Sequence, residues 1–206
     1  MVIAGAGGHA LEVLDILIAQ NRTDNLVFFD EVGSEVLFEE QFPILKSEEA
    51  LKTHFSKDPR FILGVGNSSV REEFYKRFTI LGGEHITIKG QDNCLSPSSE
   101  CGQADIMNLC FIGPKTIIGK GTLINTSAKI HHEVKIGDFC EIAPGAALLG
   151  KVTLGNQVLV GANATILPNI KIGNNVKIGA GAVVTKDVSE GSLIVGVPGR
   201  MVYRNE

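Results

Sequence analysis

The chain has 206 residues, which suits one or two domains, and its 44% hydrophobic and 20% charged residues provide a core and argue against disorder. A net charge of −4 excludes a chain built mainly to coat nucleic acid, and no apolar run approaches the ~18 residues of a membrane span. Glycine is abundant at 24 residues, Trp is absent and aromatics are only 6%, so a tightly turned, regular backbone is expected rather than a helical bundle. The four cysteines (Cys94, Cys101, Cys110 and Cys140) lack metal-knuckle spacing and are too sparse for a disulfide scaffold. The opening MVIAGAGGHALEVL has no charged leader, apolar stretch and cleavage site. The expectation is a reduced, cytoplasmic protein.

Residues 1–90 read as alternating strands and helices. Val2–Ala4 is a short apolar strand, and Gly5-Ala6-Gly7-Gly8-His9-Ala10 opens a helix over roughly His9–Gln20. Leu26–Phe29 is a second strand ending at Asp30-Glu31. Ser47–Phe55 is a helix whose N-cap Ser47 faces Ala50 where a full capping box has Glu. Phe61–Val65 is a third strand closing on Gly66-Asn67-Ser68-Ser69, Val70–Ile80 a third helix, and Ile86–Lys89 a further short strand. This order implies an α/β domain with a small Rossmann-like parallel sheet. Residues 91–105 read as a loop-rich linker.

From Ile106 a repeat takes over. Stepping by six meets Ile106, Ile112, Ile118, Ile124, Ile130, Ile136, Ile142, Leu148, Leu154, Val160, Ile166, Ile172, Ile178 and Val184, all branched aliphatics. The residue four positions after each is small or β-branched, from Cys110 through Ala182, and half of the residues immediately following the aliphatic are glycine. A period of six matches neither a 3.6-residue helix nor simple strand alternation. It matches a short strand plus a corner, with three such units making an 18-residue triangular coil that pairs in parallel with the next. Residues 106–206 are therefore expected to form a left-handed parallel β-helix with a C-terminal tail, with Cys110 and Cys140 as core filler. Charge divides the chain in the same way: residues 1–105 carry 17 acids and 9 bases, whereas 106–184 carry 3 acids and 7 bases.

Two constellations carry chemistry. Gly5-x-Gly7-x-x-Ala10 between a strand and a helix has the shape of a phosphate-cradling turn, with Asp30 at the second strand's end placed for a ribose hydroxyl. A tight β–α turn with no ligand is the alternative. In the coil, His131 and His132 fall outside the inward register and so project from a turn, and Glu133 beside His132 can hold its tautomer. Such a pair can act as a general base, although a solvated histidine pair fits the same residues. An 18-residue coil stacks Gly150 over His132, where a bare amide could bond an oxyanion. Only this adjacent pair of histidines lies in the coil, which is a poor fit to a zinc site, so no metal is expected. His54 and His85 have no motif around them.

Taken together, GAGGHA at 5–10, FFDE at 28–31, GVGNSSVR at 64–71, INTSAKIHHEVKIG at 124–137, the hexads and GVPGR at 196–200 resemble the bacterial sialic acid O-acetyltransferase and sugar N-acetyltransferase family, the NeuD and PglD type. The resemblance spans nearly the whole chain. It implies a homotrimer, with acetyl-CoA in the groove between adjacent coils and no metal, and a nucleotide-linked amino sugar held by residues 1–90 with its sugar reaching the coil histidine. It implies His132 as the catalytic base, Glu133 as its partner, Asn125 as an orienting residue and Gly150 as the amide facing the acetyl carbonyl. Gly150, Ala162, Ala180, Val197 and Pro198 match coenzyme A contacts. Gly7, Gly8, His9, Asp30, Gly66, Asn67 and Arg71 match nucleotide-sugar contacts, with Arg71 read as a phosphate or structural ion-pair partner rather than a catalyst. Some relatives carry a second histidine where this chain has Glu141.

The function expected from these residues is acetyl transfer from acetyl-CoA to the amine of a nucleotide-linked amino-deoxy sugar. One alternative is O-acetylation of a hydroxyl on a sialic-acid-like sugar. A non-catalytic nucleotide-sugar-binding partner of a biosynthetic complex is the other. A nicotinamide dehydrogenase would rest on the glycine turn alone, in a domain short for that cofactor.

Overall fold

The computed structural model describes residues 1–202, so the end of the predicted C-terminal tail lies outside the described residues. The chain divides into two compact units, Met1–Ile88 and a second beginning at Lys89. The first unit is β1 (Val2–Ala4), α1 (Gly8–Ala19), β2 (Val27–Phe29), β3 (Leu37–Phe38), β4 (Phe42–Leu45), α2 (Glu48–Phe55), β5 (Arg60–Leu63), α3 (Ser68–Ile80) and β6 (Glu84–His85). Strand order is β3-β4-β2-β1-β5-β6, with β1 central and fully buried between β2 and β5. All pairings are parallel except the β3–β4 hairpin.

That hairpin is absent from the sequence reading because its turn carries no Asn-Gly signal. Glu39 and Glu40 take the left-handed conformation instead, at φ +48 and +54°. The last strand falls at Glu84–His85, ahead of the expected Ile86–Lys89. Eight of the ten phenylalanines lie in this unit. Phe28 stacks on Phe38 at 4.1 Å, while Phe29, Phe55 and Phe61 surround Phe78 at ring separations of 5.2–5.7 Å. Ser47 caps α2 as expected, accepting from the Ala50 amide, whereas α3 starts at Ser68, two residues ahead of the expected Val70, because Asn67 accepts from the Ser69 and Val70 amides.

The second unit is a left-handed parallel β-helix of three sheets. The first face stacks Asp105–Ile106, Leu123–Ile124, Glu141–Ile142, Leu159–Val160, Lys177–Ile178 and Leu193–Val195. The second stacks Phe111–Ile112, Lys129–Ile130, Ala147–Leu148, Thr165–Ile166 and Val183–Val184, and the third stacks Ile117–Ile118, Lys135–Ile136, Thr153–Leu154 and Lys171–Ile172. All fourteen hexad aliphatics are buried, as are the thirteen small residues four positions on. Corners turn through left-handed residues that are mostly not glycine: Lys115, Glu133, Lys151 and Asn169 form one such column.

The prism begins earlier than the hexads indicate. Residues 91–105, expected as a linker, form coil: Lys89 bridges Ile106, Cys94–Leu95 pairs with Phe111–Ile112, and Glu100 bridges Ile117. This first coil advances 17 residues rather than 18, which shifts it out of phase and puts Leu95 and Cys101 on the core. At the far end Arg200–Val202 pairs antiparallel with Leu193–Val195 and covers the sheet edge. Among the described residues, no helix is long and apolar enough to cross a membrane.

Candidate active site

The ladder between coils leaves one amide per corner outside it. At the second corner, between the second and third faces, the His131 and Leu149 amides donate to Leu148 and Ile166, and those of Glu133, Lys151 and Asn169 donate to Pro114, His132 and Gly150. The position between these two sets is Pro114, His132, Gly150 and Pro168. Proline has no N–H, so the coil does not depend on a donor there. At the third corner the equivalent amides are closed by side chains of the next coil: Lys120, Asp138 and Asn156 donate to Oδ1 of Asp138, Asn156 and Asn174 at 2.8–3.1 Å. Among the described residues no such ladder covers the other two corners, although at the first the Gln91 amide donates to Asn108 Oδ1 of the next coil. Among the described residues, nothing accepts a hydrogen bond from the amides of Gly150, Ala162 or Ala180.

His132 stands in this open column. Its Nδ1 lies 3.1 Å from Glu133 Oε2. A carboxylate only accepts, so in the neutral imidazole this contact places the proton on Nδ1 and the lone pair on Nε2. The hydrogen bond from His132, helped by the ammonium groups of Lys151 and Lys115, holds the Glu133 carboxyl below the usual glutamate range. The ring lies over Gly150: a Cβ there would collide with Nε2 and Cε1. The stacking inferred from the 18-residue coil is thus realised as a close approach that only glycine permits. The imidazole is about half exposed, at 55%.

The remaining coil residues singled out from sequence sit on a different edge. Asn125, Ala162 and Ala180 follow strands of the first face and lie at the first corner, where the Gly181 amide donates to Ala162. Val197 and Pro198 follow Leu193–Val195 of that face, and the next amide, Gly199, donates to Val183 of the second face. Pro198 also borders a cleft of about 390 Å³ that includes Lys186 and Arg200. Asn125 is buried and its Oδ1 accepts from the Thr126 amide. One copy of the chain therefore does not bring Asn125, Ala162 or Ala180 to His132; the second face separates them. Glu141 lies on the first face, away from the histidine corner. Cys110 and Cys140 are core residues, as expected, and burial pushes their thiols up to about 11 and about 12.

In the first unit Gly5, at φ +103°, makes the β1–α1 turn, and a side chain there would meet Val65 at 2.5 Å. A Cβ at Gly7 or Gly8 would meet nothing within 4 Å, and no side chain caps the amides of α1. The turn thus keeps bare space at a helix N-terminus, the surroundings an anionic group needs. His9 is mostly buried, with Nδ1 at 3.1 Å from Glu12. Asp30 accepts from the Val32 and Gly33 amides, and Lys46 lies 3.7 Å away. Gly66 precedes the α3 cap, Asn67. Arg71 departs from the expected ligand contact: it is fully buried and donates to the carbonyls of Leu63 and Val65, tying down the end of β5. It is a structural residue because α3 packs its guanidinium beneath the strand end.

Comparison with known proteins accords with both halves. Residues 1–78 match the PglD N-terminal domain, and residues 115–150 and 151–186 match the bacterial transferase hexapeptide (six repeats). The GDP-perosamine N-acetyltransferase of Escherichia coli O157:H7 is 31% identical over 160 residues, covering 74% of this chain and 71% of that protein. The chain belongs to this sugar N-acetyltransferase family. Among solved members, PerB from Caulobacter crescentus in complex with CoA and GDP-perosamine superposes with a TM-score of 0.89 at 26% identity, covering 98% of this chain and 96% of that one. The acetyltransferase domain of PglB from Neisseria gonorrhoeae FA1090 gives 0.88 at 25% identity over 98% of both chains.

Two features of this family member escape sequence reading. The open amide column is visible only once the hexads are wound into coils, although prolines at 114 and 168, flanking His132 and Gly150 at 18-residue steps, are its trace. Lys151 is the other. It lies one coil from Glu133, with Nζ at 3.9 Å from the carboxylate that pairs with His132.

Proposed function

We propose that this chain transfers the acetyl group of acetyl-CoA to the amine of a nucleotide-linked amino-deoxy sugar. The observation that carries the reading is the His132 imidazole, held by Glu133 through Nδ1 and lying against Gly150, whose amide is open. In this mechanism the amine attacks the thioester carbonyl while His132 Nε2 accepts its proton, and the Gly150 N–H donates to the carbonyl oxygen as negative charge develops on it. The tetrahedral intermediate then collapses to the amide with cleavage of the C–S bond, and the imidazolium gives its proton to the departing coenzyme A thiolate. Glu133 holds the proton of the neutral ring on Nδ1, which leaves Nε2 as the acceptor, and stabilises the imidazolium that forms. The family relationship supports the donor and the acceptor class.

The split of site residues between two corners supports a homotrimer, in which the second corner of one copy faces the first corner of the next and the open amides of Ala162 and Ala180 line a coenzyme groove with Val197 and Pro198. Asn125 would then orient the site from the neighbouring copy. The bare turn at Gly7 and Gly8, with His9, Asp30, Gly66 and Asn67, is proposed to hold the nucleotide part of the acceptor. All four cysteines are free thiols, which suits the reducing cytoplasm.

The test is acetyl transfer from acetyl-CoA to an amino nucleotide sugar and to its hydroxyl analogue, with His132→Asn as control. Turnover of the amine, lost by about 10²–10⁴ in the variant, is the expected result. Turnover of the hydroxyl compound alone would replace the reading with O-acetylation. Failure of both, with no thermal shift from acetyl-CoA, would remove the enzyme reading.

A further inference from the structure

Lys151 stands in the left-handed column Lys115, Glu133, Lys151, Asn169, a backbone conformation that disfavours side chains other than Asn or Gly. Asn169, one coil further on, shows what the corner accepts at less cost. Lys151 nevertheless touches both members of the dyad. Its amide donates to the His132 carbonyl at 3.0 Å, and its Nζ lies 3.9 Å from Glu133 Oε2, the same oxygen that accepts from His132 Nδ1.

We infer that Lys151 is a positioning residue for the reaction, holding the Glu133 carboxylate against the Nδ1 edge of His132. A carboxylate on an exposed corner, free to rotate, would share its hydrogen bond with water and leave the imidazole in a mixture of tautomers. Only the tautomer protonated at Nδ1 presents a basic Nε2 beside Gly150. A cation at the same carboxylate oxygen selects the rotamer that bridges Lys151 and His132. As an exposed ion pair it adds little to stability, so its effect falls on the geometry of the base.

The inference rests on the proposed acetyl transfer, and its test separates the two. Lys151→Asn removes the cation and relieves the left-handed corner, Lys151→Met keeps the stem without the charge, and Lys151→Arg restores a cation. The expected result is an unchanged or higher Tm in Lys151→Asn, with kcat down roughly 3–10-fold, KM for acetyl-CoA unchanged, and recovery in Lys151→Arg. Nitrogen NMR of the His132 ring, assigned with His132→Asn, should show the Nδ1-protonated form in the native protein and a mixture in Lys151→Asn and Lys151→Met. An unchanged tautomer would overturn the inference even if the native enzyme turns over. Equal losses of kcat and Tm in all three variants would also overturn it, by assigning Lys151 to the fold. Absence of native turnover would count against acetyl transfer, while the tautomer measurement would still decide the role of Lys151.

Discussion

At the residue scale the decisive contact is an imidazole resting on a glycine. Gly150→Ala would place a methyl group where the His132 ring lies and tilt Nε2 away from the open amide. A displacement of that size is expected to lower turnover about 10–100-fold while Tm changes little, measured by steady-state kinetics beside thermal melting. The cysteines make a contrasting case. Cys110 and Cys140 point into the prism, with Sγ donating to the carbonyls of Asn125 and Gly155, and stay protonated far above neutral pH. A thiol reagent at pH 8 should therefore label Cys94 rapidly, Cys101 slowly and the other two only after unfolding, as read by mass spectrometry.

At the element scale the first unit relies on an ionic clamp at the carboxyl end of its sheet. Arg77 on α3 makes a bidentate pair with Glu31 beyond β2 at 2.6 Å, a third bond to Glu48 on α2, and stacks over Phe29. The hydrogen bonds from Arg77 hold Glu31 below the usual glutamate value of 4.5. A carboxyl depressed in the folded state adds stability above that value and loses it as pH falls through the folded one. Glu31→Gln should thus lower Tm by ~2–4 °C at pH 7, with the difference from the native protein shrinking below about pH 4.5 in a melting series. The elements themselves were unevenly legible. The helix at Ser47 was marked by a side chain that caps an amide, a local interaction. The β3–β4 hairpin was not, because Glu39 and Glu40 adopt left-handed angles under tertiary packing of Phe38 and Phe42 on Phe28.

At the scale of the whole molecule the second unit is a column of nearly identical corners made unequal by side chains. Asp138, Asn156 and Asn174 seal the third corner, whereas the first and second keep bare amides. If one copy supplies His132 and its neighbour supplies Ala162 and Ala180, two defective variants should complement. Mixed assemblies of His132→Ala with Ala180→Trp, unfolded and refolded together, are expected to recover measurable turnover that neither has alone. Recovery of none, with trimers present by ultracentrifugation, would place the whole site within one copy.

The order of residues alone determined the prism, since an aliphatic every six positions can be buried on one side only by turning the chain through a triangle. It also determined that Gly150 follows His132 by one coil, and that a glycine turn follows β1. Tertiary structure alone decided that residues 91–105 join the prism, because a 17-residue coil breaks the phase that periodicity detects. It decided that Arg71 is buried beneath a strand end, since arginine is compatible with either a ligand or a carbonyl until packing chooses. It also decided which amides stay open, because a hydrogen bond between coils joins residues eighteen apart and depends on where the side chains of the next coil fall.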